Sequence, residues 1–292
     1  MKKITKAVLP VAGFGTRVLP ATKSIPKEML PIVDRPALQY VVDEAIEAGI
    51  EHFVFITGRG KAAIQNYFDR AYELEDVLER KGNVKRLNAL HEKQAREGTM
   101  SFVRQQAAKG LGHAVWCARD IVGDEPFAVL LPDVLVKSEK SCLAQMVEVY
   151  NEVGGNIIAV DAVPESRISN YGVIKPKSGT DYKTQKLIAM DGMVEKPSPE
   201  KAPSNLKITG RYILQPELMG LLRDQAAGAG GEIQLTDAMA RLMQSQTFHA
   251  FAYEGQDYDC GSKLGYLETV LAYAKDHPEI GEEAQSLIKR MA

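Results

Sequence analysis

Short apolar runs alternate with amphipathic stretches through the first half of the chain. Residues 7–12 (AVLPVA) form an apolar run closed by Gly13-Phe14-Gly15, which predicts a buried strand and a Gly-rich turn. Leu38, Val41, Val42, Ala45 and Ile46 then recur at helical spacing, and Gly49 supplies the stop. Residues 52–57 (HFVFIT) predict the next buried strand and residues 61–68 a helix. A short strand at 101–105, a helix at 111–122, a central buried strand at 127–131, a helix at 141–153 and a strand at 156–163 continue the series. Strands and helices alternating in this way build parallel α/β sheets. Residues 70–97 interrupt the order. Their charges of both signs and weak apolar periodicity predict one or two solvated helices projecting from the body.

From Tyr171 to Tyr212 the rhythm changes to short strands with turns (YGVIKP, LIAMDGMVEKP, LKITGRYIL), a β-rich, antiparallel region built onto the same sheet. Helices are expected at 216–224, 232–245 and 262–275, a strand at 248–253, and a last amphipathic stretch at 282–290. No internal repeat, low-complexity segment or interdomain linker divides the chain. The expected fold is α/β: a Rossmann-like three-layer α/β/α domain over 1–292 with a mixed, mostly parallel central sheet. It comprises one lobe over about 1–165, a β-rich lobe over about 166–260, and C-terminal helices over 261–292.

Composition narrows the class of function. The chain has 292 residues, 45% hydrophobic and 25% charged, the balance of a soluble globular protein, which excludes disorder, collagen and coiled coil. Its 36 basic and 38 acidic residues give a net charge of −2, so a nucleic-acid partner is not expected. Cys117, Cys142 and Cys260 lie too far apart for a CxxC metal site and read as three buried, reduced thiols of a cytoplasmic protein. Lys6, Pro10 and Arg17 interrupt any signal-peptide core. The most apolar stretch, 127–136, contains Pro132 and Asp133 and is half the length of a membrane span, so no membrane association is expected.

The informative chemistry begins at Gly13-Phe14-Gly15-Thr16-Arg17. A Gly-rich turn after a buried strand lets backbone N–H groups approach phosphate oxygens. A dinucleotide motif would need a third Gly and an immediate helix. Here Val18 stands at the third position, and Pro20 and Pro26 break a helix, so a nicotinamide site is ruled out. The loop is expected to stay extended and to bring Arg17, Lys23 and Lys27 near the turn, which suits a triphosphate. A basic surface loop with turn glycines would look the same in isolation.

The run AGFGTRVLPATKSIPKEMLPIVDRPALQY resembles the bacterial UTP–glucose-1-phosphate uridylyltransferases (UDP-glucose pyrophosphorylases) of the sugar nucleotidyltransferase superfamily. The resemblance continues through RQ-x4-GLGHA (104–114), LLPDV (130–134), YGVI (171–174), VEKP (194–197), TGRYIL (209–214), GEIQLTDA (231–238) and YDCGSK (258–263). It implies UMP transfer from UTP to glucose 1-phosphate by Mg²⁺-assisted, in-line attack on the α-phosphorus, releasing pyrophosphate. The first lobe becomes the nucleotide side and the second the sugar side.

Carried onto this chain, the resemblance assigns the nucleotide to Ala12, Gly13, Gly15, Thr16, Gln105, Gly110 and Gly112, and the leaving phosphates to Arg17 and Lys27. Gln105 sits at a strand end and offers both a donor and an acceptor to the N3–H and O4 edge of uracil. An amide can flip, so backbone N–H groups near Ala12–Gly13 and at Gly112 are needed to select a carbonyl. Asp133, after the most apolar strand, and Asp259 are implied Mg²⁺ ligands; Asp259 also reads as a helix N-cap. Lys196 is implied to contact the sugar phosphate and Glu195 the sugar hydroxyls, with Gly172 and Gly210 letting backbone approach the hexose. Thr209 and Tyr212 lie near the same pocket. His113 gets a structural or helix-start role, because an anionic phosphate nucleophile needs no general base. A homo-oligomer, dimer or tetramer, is also implied. The rivals are a thymidylyltransferase or other sugar-1-phosphate nucleotidylyltransferase, and a catalytically silent regulatory paralogue.

Overall fold

The computed structural model describes residues 1–91 and 95–291. In chain order its first half holds β1 (Lys6–Pro10), a tiny hairpin of β2 (Pro31–Ile32) and β3 (Arg35–Pro36), α1 (Ala37–Glu47), β4 (His52–Thr57), α2 (Ala62–Phe68), α3 (Tyr72–Arg80), α4 (Val84–His91) and β5 (Met100–Arg104). Next come α5 (Leu111–Trp116), α6 (Arg119–Val122), β6 (Phe127–Leu130), β7 (Val134–Lys137), α7 (Cys142–Val153) and β8 (Asn156–Ala162). The second half adds β9 (Gly172–Pro176), β10 (Leu187–Glu195), β11 (Leu206–Leu214), α8 (Leu218–Arg223) and α9 (Leu235–Leu242). The chain ends with β12 (Phe248–Ala252), β13 (Gln256–Asp259), α10 (Lys263–Ala274) and α11 (Gly281–Met291).

One nine-stranded sheet, ordered β5-β4-β1-β6-β11-β8-β12-β10-β9, runs through both lobes. All its strands point the same way except β10 and β11, so it is mixed and mostly parallel as expected. Alternation along β1 shows how the layers arise. Val8 faces a core shared with α5, α6, α8 and α9, whereas Ala7 and Leu9 face a core shared with α1, α2 and α7. Apolar strands buried on both faces and covered by helices give the three-layer α/β/α architecture.

Several local expectations are corrected. The loop after β1 does not stay extended; it folds into 3₁₀ turns at Thr16–Val18, Ala21–Lys23 and Lys27–Met29. The single helix expected over 111–122 tightens between α5 and α6, where the Cys117 N–H shares the carbonyls of His113 and Ala114. The helix expected from 232 begins at Leu235. Of the three thiols, Cys142 and Cys260 are buried and Cys117 is half-buried. The charged segment 70–97 forms α3 and α4, with 92–94 outside the described residues. The β7–β13 pair, too short to show in the hydrophobic pattern, sets Val134 opposite Asp259.

Candidate functional site

The parallel strands β1, β4, β5 and β6 end on one edge of the sheet, the place where open α/β sheets bind ligands. After β1, the backbone N–H groups from Ala12 to Arg17 make no hydrogen bond to any described residue. Gly15 (φ 65°) turns the chain into the first 3₁₀ turn, and its carbonyl accepts from Thr22 Oγ1 at 2.7 Å. Gly13 and Thr16 are exposed and Ala12 is half-buried. A run of unspent N–H donors beside two cations is an anion cradle.

Beyond β6 the chain turns at Pro132-Asp133 into β7, which pairs antiparallel with β13, Val134 opposite Asp259. The Cys260 N–H donates to the Asp133 carbonyl at 2.8 Å. This short ladder is what brings Asp133 and Asp259 side by side from positions far apart in sequence. Lys27 Nζ donates to Asp133 Oδ2 at 2.7 Å, while the exposed Arg17 guanidinium lies 3.6 Å from Asp133 and 3.9 Å from Asp259. Burial pushes the Asp133 carboxyl up, but Lys27 and Arg17 outweigh burial and hold it below the ordinary aspartate value. Burial likewise pulls Lys27 down, and Asp133 and Glu28 overcome it to hold its ammonium above the usual lysine range. Ser262, not Asp259, caps α10, accepting from the Gly265 N–H at 3.2 Å; Asp259 Oδ1 accepts from the Gly261 N–H at 2.8 Å.

An ionised Asp133 beside Asp259 suits a hard divalent cation. Among the described residues no group of three His, Cys, Asp or Glu side chains gathers as a metal site. Two carboxylates alone fit Mg²⁺, which keeps water and takes phosphate oxygens to complete its shell.

Arg17, Asp133 and Asp259 open onto a cavity of about 420 Å³ that also meets Gly172, Glu195 and Gly210. Thr209 and Tyr212 line it too. Glu195 Oε2 accepts from Thr236 Oγ1 at 2.7 Å, which orients the carboxylate. Lys196 lies just outside the lining, its Nζ 3.5 Å from Glu195 Oε1 and its N–H donating to the Tyr171 carbonyl at 3.0 Å. Its φ of 46° is a left-handed conformation that costs a lysine roughly 1–3 kcal/mol, and such strain clusters at functional sites. Arg167, Asn170, Lys207 and Asp257 also line this cavity, and no motif in the sequence marks them. Lys207 and Asp257 form an ion pair with both side chains largely buried, and its members are far apart in sequence. Tyr171, also in the wall, was signalled only by preceding Gly172.

Gln105, Gly110 and Gly112 stand apart from that cavity, around the end of β5. The 109–112 segment docks on 232–234: the Ile233 N–H donates to Lys109 O at 2.7 Å and the Gly112 N–H to Ile233 O at 2.8 Å. Gly112 therefore does not offer its N–H to a base carbonyl in this structure; its donor is spent in packing. Gly110 (φ 99°) adopts a backbone conformation reserved for glycine, and an added Cβ would stand 2.7 Å from Glu232 Cβ.

The chain matches the nucleotidyl transferase family over residues 6–276. It is 50% identical over 264 residues to a UTP–glucose-1-phosphate uridylyltransferase of Komagataeibacter xylinus, covering 90% of this chain and 92% of the relative. A UTP-bound UGPase from Acinetobacter baumannii shares the fold with a TM-score of 0.90 and 47% identity, covering 99% of this chain and 100% of that one. A UDP-glucose pyrophosphorylase complexed with UDP-glucose aligns with a TM-score of 0.82 and 41% identity, over 94% of this chain and 100% of that one.

Proposed function

Because the chain belongs to the nucleotidyl transferase family, we propose that it transfers UMP from UTP to glucose 1-phosphate, giving UDP-glucose and pyrophosphate. The observation that carries this reading is the meeting of Asp133, Asp259 and Arg17 at the mouth of the cavity that holds Glu195, Gly172 and Gly210. Full-length similarity to uridylyltransferases supports the choice of nucleotide and sugar.

Two anions must be brought together in line, so positioning and charge neutralisation supply most of the catalysis. The open N–H groups from Ala12 to Arg17 receive the triphosphate, and Arg17 and Lys27 hold the leaving β- and γ-phosphates. Lys196 takes the incoming sugar phosphate, Glu195 accepts from the sugar hydroxyls, and Gly172 and Gly210 let backbone lie against the hexose. Asp133 and Asp259 would hold Mg²⁺, which when bound neutralises phosphate oxygens. Gln105, with Gly110 beside it, meets the base. The sugar-phosphate oxygen attacks the α-phosphorus and pyrophosphate departs opposite, with no covalent enzyme intermediate.

The reading includes a homo-oligomer, dimer or tetramer, supported by the exposed Leu264, Leu267 and Leu271 along one face of α10. It also includes action in the cytoplasm. No helix among the described residues is long and apolar enough to cross a membrane. The deciding experiment is pyrophosphate release with Mg²⁺ and glucose 1-phosphate, offering UTP, dTTP, CTP or ATP. Rapid release with UTP alone is expected. A preference for dTTP would overturn the base assignment, and binding of UTP without release from any pair would mark a regulatory paralogue.

A further inference from the structure

The Gln105 side chain, just past β5, is held by its nitrogen. Nε2 donates to the Gly110 carbonyl at 3.1 Å and lies 3.0 Å from Nδ1 of His113. A carbonyl oxygen only accepts, so the amide group facing Gly110 is the NH₂. Its second hydrogen meets His113 Nδ1, which must then carry a lone pair, with the ring proton on Nε2. Burial, reinforced by Lys109 and Arg119, holds His113 below the ordinary imidazole range, which keeps that lone pair available. Both amide hydrogens are thereby spent inside the protein, and Oε1 has no partner among the described residues.

We infer that His113 is a specificity-positioning residue: by accepting from Gln105 Nε2 it pins the amide with Oε1 outward, toward an N3–H donor and against an N3 lone pair. Uracil carries that donor and cytosine the lone pair, so the pinned amide separates the two where a freely flipping one would not. His113 is well placed to act as the pin. It sits in the first turn of α5, whose Gly112 is tied to the Ile233 carbonyl, and its ring lies 5.8 Å from that of Trp116. The Arg119 guanidinium covers the Trp116 ring at 3.8 Å, so the neighbouring aromatic is itself held in place. This inference rests on the reading that Gln105 meets the base.

Without the His113 acceptor, only the Gly110 carbonyl opposes the flip. Loss of one such hydrogen bond is expected to lower the preference for UTP over CTP about three- to tenfold. The test measures equilibrium binding of UTP and CTP by calorimetry, and kcat and KM with UTP, for the parent protein, His113→Ala, His113→Asn and Gln105→Ala. In His113→Ala the UTP-over-CTP binding ratio should fall by that factor, with the effect on UTP appearing in KM rather than kcat. His113→Asn, whose Oδ1 can accept near the site of Nδ1, should restore the ratio. An unchanged ratio in His113→Ala beside a collapsed ratio in Gln105→Ala would overturn the pin and leave the base reading intact. If Gln105→Ala also leaves the ratio unchanged, the base reading itself falls. A loss in His113→Ala that Asn does not rescue would show packing, not hydrogen-bond acceptance, and also overturn the inference.

Discussion

Lys27 and Asp133 each stabilise the charge of the other, and most of both side chains is buried. Replacing Lys27 by Met leaves Asp133 with the exposed Arg17 guanidinium 3.6 Å away as its nearest cation. Turnover is then expected to drop ~10²–10³-fold, the size typical for losing one preorganised electrostatic contact. The pH dependence follows with a definite sign. Asp133 titrates lower in the folded chain than in the unfolded one, where the aspartate value is about 3.9. Its stabilising contribution is therefore complete above that value and disappears as pH falls through the folded one. In Lys27→Met the folded Asp133 carboxyl rises toward its unfolded value, so urea midpoints measured without nucleotide or metal should lose less on acidification below that value than in the parent. Coincident declines would refute the pairing. Lys196 carries a different signature, because its left-handed φ of 46° is a conformation glycine adopts freely. Lys196→Gly should keep or raise Tm while turnover falls ~10²–10³-fold. A variant that unfolds earlier, or turns over normally, would contradict a strained phosphate contact.

The β7–β13 ladder is the element on which the paired carboxylates depend, and α10 abuts it closely. A Cβ on Gly265 would stand only 2.1 Å from the Asp259 carbonyl oxygen, so Gly265→Ala must push the first turn of α10 away from β13. Thermal melts should show a loss of about 1–3 kcal/mol, the usual cost of overpacking, and kcat should fall further than that destabilisation explains. Unchanged kcat would separate the ladder from the chemistry. Neither strand was legible in the sequence. Val134–Lys137 and Gln256–Asp259 are four residues each, too short for a periodicity, and Val134-Leu135-Val136 reads as a continuation of the apolar run before Pro132. By contrast, β4 matches its predicted span residue for residue, because a strand buried on nearly every position writes an unbroken apolar run. The turns after β1 escape the sequence pattern for a local reason: Pro20 and Pro26 forbid a longer α-helix, yet each stands at the N-cap of a 3₁₀ turn, where a missing N–H costs nothing. Asp133 and Glu195, which line the cavity, stand inside dense motifs that the sequence displays. Lys207 and Asp257 line it too without any such mark, since a buried ion pair between distant residues leaves no spacing to detect.

What joins the layers around the site is one buried charge. Arg211 of β11 is wholly buried, and its Nε and Nη2 donate to the Glu44 carboxylate of α1 at 2.8–3.1 Å. Its Nη1 donates to Leu131 O at 3.0 Å and its Nη2 to Val134 O at 2.7 Å, gripping both sides of the Pro132-Asp133 turn. Glu44 Oε1 also accepts from the Leu143 N–H at 3.1 Å, so α7 enters the same network. Arg211 thus ties two helices and the central strands to the turn that presents Asp133. Arg211→Met leaves Glu44 as an uncompensated buried charge and should cost about 3–5 kcal/mol. The double variant Glu44→Met/Arg211→Met removes both charges, so much of that stability should return, with a coupling of the kind seen between contacting residues. Turnover should not return with it, because the Leu131 and Val134 carbonyls have lost their donor and Asp133 is no longer held against Lys27. Urea denaturation and kcat measured on the parent, both single variants and the double test this separation directly. A double variant as active as the parent would reduce Arg211 to a packing residue, whereas a stable but inactive one would show that the core of the whole molecule sets the position of Asp133.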